Sequence, residues 1–241
     1  MKIICIIPAR YQSSRFPGKP LAHILNKPMI YWVYNAIVKI HEISNIYVAT
    51  DDKRIFEAVK DFGGQPIITG DCSCGTERVY EACKHLDFDI VLNIQGDEPM
   101  IKREIILDLI GAFQDKTVQV ATLKKRITSE KELYDPNIAK VVTNKQNDAI
   151  YFSRSLIPFN RDKRDDITFY KHIGVYGYTK SFIEKYVSLP QTILEKAEEL
   201  EQLRVIEHGY KIRVIETLHQ SIGVDLPEHI AIVEKYMRGE L

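Results

Sequence analysis

"IIPARYQSSRFPGKPL", Ile6–Leu21, decides the reading of this chain. An apolar run stops at Pro8. Arg10, Arg15 and Lys19 follow at once, with Ser13, Ser14, Pro17 and Gly18 among them. The segment that feeds this stretch, Lys2–Pro8, is a β-branched run and reads as a buried strand. A strand buried on both faces belongs to a parallel sheet. Open parallel sheets bind ligands beyond the carboxyl ends of their strands, which is where this loop would lie. Backbone donors beside Ser and Gly, joined by the cations, suit a polyphosphate. Arg grips two phosphate oxygens at once, and Lys acts as a mobile point charge. The alternative is a set of solvated surface charges, and composition alone does not separate the two. Neither G-x-x-x-x-G-K-[ST] nor G-x-G-x-x-G is present, which disfavours a P-loop NTPase or a dinucleotide enzyme.

Outward from this loop, strands and helices alternate. Pro28 starts a helix with Met29, Ile30, Val33, Ala36, Ile37 and Ile40 at helical spacing. Ile46–Thr50 is a strand. Asp51 or Asp52 caps the next helix, which carries Ile55, Phe56, Val59 and Phe62 and stops at Gly63-Gly64. Pro66–Thr69 (strand), Glu77–Leu86 (helix), Ile90–Gln95 (strand) and Arg103–Phe113 (helix) continue the alternation. It predicts a parallel sheet covered on both faces. The middle changes character. Gln119–Ile127, Ala139–Thr143, Ala149–Ser153 and Lys171–Thr179 are strand-like with fewer helices between, as in an insertion of mixed or antiparallel strands. Asn160–Asp166 is a charged loop. A helix over Glu195–Glu207, a strand over Ile212–Thr217 and a helix from Pro227 close the chain. The expectation is one α/β domain over residues 1–241, with an inserted region at about residues 119–180.

Bulk properties narrow the function classes. The chain has 241 residues, 45% of them hydrophobic, and its 33 basic residues offset 33 acidic ones. It is long enough for a sizeable core. The even balance gives no argument for nucleic acid or an anionic membrane, so any anion site is local. No segment approaches the roughly 18 apolar residues of a membrane span. The first residues lack the apolar region and cleavage site of a signal peptide, so a cytoplasmic protein is expected. Cys72-x-Cys74 has the wrong spacing for a zinc knuckle, and Cys5, Cys72, Cys74 and Cys83 read as reduced thiols.

Other strand ends carry candidate chemistry. In Gln95-Gly96-Asp97-Glu98-Pro99 a carboxylate follows a buried strand directly. Asp97 suits magnesium, a hard cation that takes few carboxylates plus phosphate oxygens. Taken alone, an ordinary Asp turn is the stronger reading. Asp225, in Ile222-Gly223-Val224-Asp225-Leu226-Pro227, reads locally as part of a helix cap or as a second carboxylate for the same metal. Gly75-Thr76-Glu77-Arg78 offers free amides at a helix start, with Arg78 either a ligand contact or a solvated helix residue. His172 shares the strand parity of Tyr176 and Tyr178, opposite to Lys171; a lone His of this kind is more often a packed or exposed residue than a functional one, and Arg154 has the same ambiguity.

Taken in order, these pieces have a family look. Pro8-Ala9-Arg10-Tyr11, Ser14-Arg15-Phe16-Pro17-Gly18-Lys19-Pro20-Leu21, Gly75-Thr76-Glu77-Arg78, Asn93-Ile94-Gln95-Gly96-Asp97-Glu98-Pro99-Met100 and Tyr151-Phe152-Ser153-Arg154 resemble the 3-deoxy-manno-octulosonate (Kdo) cytidylyltransferase family. So do His172-Ile173-Gly174-Val175-Tyr176-Gly177-Tyr178, Leu200-Glu201-Gln202-Leu203-Arg204 and Gly223-Val224-Asp225. The resemblance runs from about residue 2 to the C-terminus. It implies a Rossmann-like three-layer α/β nucleotidyltransferase fold, with a mostly parallel central sheet and a smaller inserted mixed or antiparallel subdomain. It implies the reaction CTP + Kdo → CMP-Kdo + diphosphate, magnesium, a cytoplasmic homodimer and a role in lipopolysaccharide synthesis.

By the same resemblance, Arg10 and Lys19 hold the CTP phosphates, joined by Arg15. Pro8, Ala9, Gly75, Thr76 and Arg78 surround the cytidine. Asp97 and Asp225 hold magnesium. Gln95, Arg154, Lys171, His172, Glu201 and Gln202 contact the sugar acid, with Arg154 placed to pair its carboxylate, and about residues 119–180 serve sugar binding and dimerisation. Arg10, Lys19, Asp97 and Asp225 are the expected catalytic set. The sequence departs from the family at Cys74, where Ser is usual, at Lys171, where Arg is common, and in the loop Asn160–Asp166. The rival readings are transfer to another acidic sugar (8-amino-Kdo or a nonulosonate), a sugar-1-phosphate nucleotidylyltransferase, whose glycine-rich first loop is absent, and a non-catalytic nucleotide-binding protein.

Overall fold

Ile3, Ile4, Cys5, Ile6 and Ile7 are all buried, as a strand paired on both sides requires. They form β1 (Ile3–Pro8). The computed structural model of the chain describes residues 1–13 and 16–240. After β1 come the two-residue strands β2 (His23–Ile24) and β3 (Lys27–Pro28), then α1 (Met29–Ile37), β4 (Asn45–Thr50), α2 (Lys53–Asp61), β5 (Pro66–Ile68), α3 (Gly75–Cys83), β6 (Ile90–Asn93) and α4 (Arg103–Gly111). Next are β7 (Val120–Arg126), α5 (Glu130–Tyr134), β8 (Lys140–Thr143), β9 (Ala149–Ser153), β10 (Tyr170–Thr179), α6 (Lys180–Tyr186), α7 (Ile193–Glu198), α8 (Leu203–Glu207), β11 (Arg213–Glu216) and α9 (His229–Met237). The chain divides into two compact units, Met1–Ile105 with Gln220–Leu241, and Ile106–His219.

In the first unit the strands run β6-β1-β4-β5, and every pairing among them is parallel. The local signals read from the sequence hold. Asp52 caps α2 by accepting from the Arg54 amide, and Gly63, at φ 80°, ends that helix. The β2–β3 hairpin was not expected; its turn places Leu25 and Asn26 at φ 46° and 62°. The hairpin seats Ile24 in a cluster with Met29, Val224 and Val233, with Trp32 packed against it. Trp32 Nε1 donates to the Ile24 carbonyl at 2.8 Å, and the Leu25 amide donates to Glu234 Oε1 at 2.9 Å. The C-terminal segment thus returns to the first unit and brings Asp225 with it.

The second unit is mixed. β11 runs parallel to β7, β7 antiparallel to β10, and β8 antiparallel to both β10 and β9. The β7–β10 register shifts between Ile173 and Tyr176, a bulge around Gly174. One sequence expectation fails here. The continuous helix over Glu195–Glu207 is two short helices, α7 and α8, broken at Glu199, which adopts a left-handed φ of 52°. The break has an electrostatic partner. Arg154 Nε donates to the Glu198 carbonyl at 2.7 Å, and its Nη2 to the Glu199 carbonyl at 3.4 Å. Buried Arg204 then clasps Glu195 through two bonds of 2.8 and 2.6 Å, tying α8 back to α7. Among the described residues, no helix is long and apolar enough to cross a membrane.

Candidate active site

The first loop folds back on itself before it reaches its cation. Gly18 takes a left-handed φ of 71°, which glycine adopts without a Cβ penalty, and its amide donates to the Tyr11 carbonyl at 2.8 Å. The Tyr11 ring is covered by the Arg54 guanidinium at 3.3 Å from its centroid. Beyond this brace, Lys19 opens a single 3-10 turn and turns its side chain inward. Lys19 Nζ lies 2.5 Å from Asp97 Oδ2, 3.0 Å from the Val224 carbonyl and 4.0 Å from Asp225 Oδ1. The Val224 amide donates to the Asp97 carbonyl at 2.9 Å, so the loop after β6 and the segment before α9 are strapped together. Positions far apart in sequence therefore meet: Lys19, Asp97 and Asp225.

A cavity of about 180 Å³ opens beside this cluster, walled by Pro8–Arg10 and Gln95–Asp97 with Lys19 between. Arg10 is exposed at its rim. Gly96 lets the backbone pass close to β1: a Cβ there would stand 3.0 Å from the Pro8 carbonyl oxygen, a tight contact. Gly75 and Thr76 fall in the first turn of α3, which starts earlier than the sequence suggested. Thr76 joins the cavity wall through a short relay: Gln95 Nε2 donates to Asn93 Oδ1 at 3.0 Å, and Asn93 Nδ2 to Thr76 Oγ1 at 3.4 Å. Arg78 is not a solvated helix residue. It is 4% exposed and donates to Asp51 Oδ2 and Thr69 Oγ1, both at 2.6 Å, bracing the ends of β4 and β5. Arg15 lies outside the described residues.

Glu98 was not singled out from the sequence, although it sits inside the Asp97 motif. Its Oε2 is buried and has no hydrogen-bond partner. Burial, with the like charges of Asp97 and Asp225, pushes its pKa up to about 7; the Ser221 hydroxyl beside it and Lys19 oppose this without closing a hydrogen bond to Oε2. The ordinary value is 4.5. Between these two values the unfolded chain has lost the proton and the folded chain still holds it. Stability therefore falls as pH rises through that window, by up to about 3 kcal/mol. Glu98→Gln is expected to abolish most of that fall in the metal-free protein. Urea unfolding at pH 5 and pH 8 measures it, and equal pH differences in the variant and the parent would refute Glu98 as the source.

The remaining candidates sit in the second unit. Lys171 is buried and paired with Glu132. Arg154 spends its guanidinium on main-chain carbonyls of residues 136, 198 and 199. His172 stands edge-on to Phe152, with ring centroids 5.0 Å apart, and 5.3 Å from the Tyr176 ring; Tyr176 in turn stacks on Tyr178. The parity read from the sequence is thus preserved across the bulge. His172 keeps some solvent-accessible surface, yet the packing around it pushes its pKa down to about 3, so the ring is neutral near pH 7. Gln202 is buried at the start of α8, and the Glu201 carbonyl accepts from Tyr186 Oη at 3.5 Å. Arg154 directly follows β9, Lys171 and His172 lie on β10, and Glu201 and Gln202 lie at the α7–α8 junction.

A lysine from the loop after β1 that meets one carboxylate from the loop after β6 and another from the segment before α9 is suited to nucleotidyl transfer, and comparison with known proteins places the chain in that class. The model of the cytidylyltransferase family matches residues 4–212. 3-Deoxy-manno-octulosonate cytidylyltransferases of Syntrophus aciditrophicus and Fusobacterium nucleatum are each 47% identical, over 99% of this chain and 98% of their own. That of Parabacteroides distasonis is 49% identical over 95% of both chains. A solved CMP:2-keto-3-deoxy-manno-octonic acid synthetase, complexed with CTP, is 41% identical and covers 100% of both chains with a TM-score of 0.94. A 4-diphosphocytidyl-2C-methyl-D-erythritol synthase from Anaerococcus prevotii, 15% identical with a TM-score of 0.64, shares the fold alone. The chain belongs to the 3-deoxy-manno-octulosonate cytidylyltransferase family.

Proposed function

We propose that the chain transfers CMP from CTP to Kdo, giving CMP-Kdo and diphosphate for lipopolysaccharide synthesis. The observation that carries the chemistry is the convergence of Lys19 on Asp97 and Asp225 at the mouth of the cavity. Pro8, Ala9, Gly75 and Thr76 line the cytidine end, with Arg78 holding the strand ends that support it. Lys19 and Arg10 take up charge on the triphosphate and then on the departing diphosphate, where charge grows most. The sugar's anomeric hydroxyl attacks the α-phosphorus in line with that leaving group. Gln95, Arg154, Lys171, His172, Glu201 and Gln202 bind and orient the sugar acid.

Asp97 and Asp225 are the residues that would hold magnesium. Their fit rests on the structure: one ammonium already stands between two hard oxygen donors, at 2.5 and 4.0 Å, as a stand-in cation. Among the described residues no group of three or more His, Cys, Asp or Glu is arranged for a metal. A site with two carboxylates suits magnesium, which keeps waters and phosphate oxygens as its other ligands. When bound, it supplies Lewis-acid stabilisation of the α-phosphate and acidifies the attacking hydroxyl. The family resemblance also supports a cytoplasmic homodimer, with about residues 119–180 in sugar binding and subunit contact; sedimentation equilibrium tests the dimer.

Diphosphate release from purified protein, CTP and magnesium with Kdo, 8-amino-Kdo or N-acetylneuraminate tests the reaction. Release with Kdo is the expected result. Release with another sugar only would keep the chemistry and move the substrate. Folded protein that binds CTP and releases nothing with any of them would refute the proposal.

A further inference from the structure

Thr122 is fully buried on β7, and its hydroxyl has three neighbours. Oγ1 lies 2.7 Å from the Val175 carbonyl oxygen, 3.2 Å from the Ile173 carbonyl oxygen and 2.9 Å from His172 Nε2. Both carbonyls come from the β10 bulge, where the ladder with β7 skips residues 174 and 175. A carbonyl only accepts, and a hydroxyl has one proton. That proton must go to the bulge, to Val175 at the shorter distance. Oγ1 then offers only lone pairs to the imidazole. His172 must therefore be the donor, with its proton on Nε2. The reverse tautomer would set an Nε2 lone pair against an oxygen whose proton is already committed, or take that proton from the carbonyl it approaches most closely.

We infer that Thr122 is a positioning residue that fixes His172 as the neutral Nε2–H tautomer, so that Nδ1 is presented as a hydrogen-bond acceptor for a hydroxyl of the sugar acid. The second half rests on the proposed sugar-binding role of His172; the tautomer itself does not. Two further observations agree. No described residue bonds to Nδ1, and the ring retains solvent-accessible surface. The surroundings of His172 also disfavour the imidazolium. A neutral acceptor cannot pair with the sugar's carboxylate. It reads a hydroxyl instead, and a deoxy position at that point would leave Nδ1 unpaired on binding.

The test has two arms. In the free protein labelled with nitrogen-15, long-range proton–nitrogen spectra at pH 7 should show His172 Nε2 protonated and Nδ1 bare. In steady-state kinetics, Thr122→Val should raise the KM for the sugar acid roughly tenfold, the loss of about one hydrogen bond, with the KM for CTP unchanged. Thr122→Ser, which keeps the hydroxyl, should restore both the tautomer and the KM. A proton on Nδ1, or an imidazolium at pH 7, overturns the inference even if His172→Ala impairs sugar use. An Nε2–H tautomer with no change of sugar KM in either Thr122→Val or His172→Ala overturns it as well, and removes His172 from the sugar site. If Thr122→Val does not fold, the spectrum of the parent protein and the sugar KM of His172→Ala still decide both halves.

Discussion

Asp97→Asn is expected to lower kcat about a thousandfold while moving the melting temperature by only a few degrees. The argument is one of position and shape. Asp97 lies in the loop four residues beyond β6, and its carbonyl is fixed by the Val224 amide. Its side chain is 35% exposed and carries its charge toward Lys19 and the cavity. Asn keeps the volume and can still accept from Lys19, so little packing is lost. The charge is what disappears, and with it half of the carboxylate pair proposed to hold magnesium. Asp225→Asn should act in the same direction but less strongly, about a hundredfold, because Asp225 is half exposed and stands 4.0 Å from the ammonium. Both variants should need more magnesium for half-maximal rate. Full activity in either one would remove that residue from the metal-holding role.

The α/β body was legible because its signals are local. A buried Ile-rich strand, an Asp cap and a Gly stop each act within a few residues, and the structure places β1, the cap at Asp52 and the stop at Gly63 where they were read. The failures have tertiary causes. The break at Glu199 answers Arg154, which is far away in sequence, and nothing within 195–207 signals it. The β2–β3 turn has Asn26 as its one local hint, and what fixes it is burial of Ile24 against Val224 and Val233. The site divides in the same way. Asp97 was visible as a carboxylate at a strand end, but its meeting with Asp225 depends on α9 packing back onto the hairpin. Sequence spacing carries no trace of that. Thr122 gave no signal either, since its role exists only through a bulge in the neighbouring strand.

Lys19→Met should lower kcat by two to three orders of magnitude, raise the KM for CTP about tenfold, and yet tighten magnesium binding to the free protein. The first two effects follow from removing a charge that lines the cavity while keeping an aliphatic stem of similar length. The third follows from the geometry of the free protein. Lys19 is 13% exposed on its side chain and neutralises Asp97 and Asp225 together. A divalent ion at those carboxylates must compete with the ammonium. Without it, both carboxylates lose the cation they share, which favours any cation that enters in its place. Calorimetric titration of the nucleotide-free variant with magnesium measures this directly, apart from turnover. Weaker magnesium binding than in the parent protein would mean that Lys19 builds the metal site rather than standing in for the metal. A kcat near that of the parent would mean that the cation does not meet the phosphates. Slower turnover with tighter metal binding is the combination that requires the ammonium to leave the carboxylates for the triphosphate when substrate arrives.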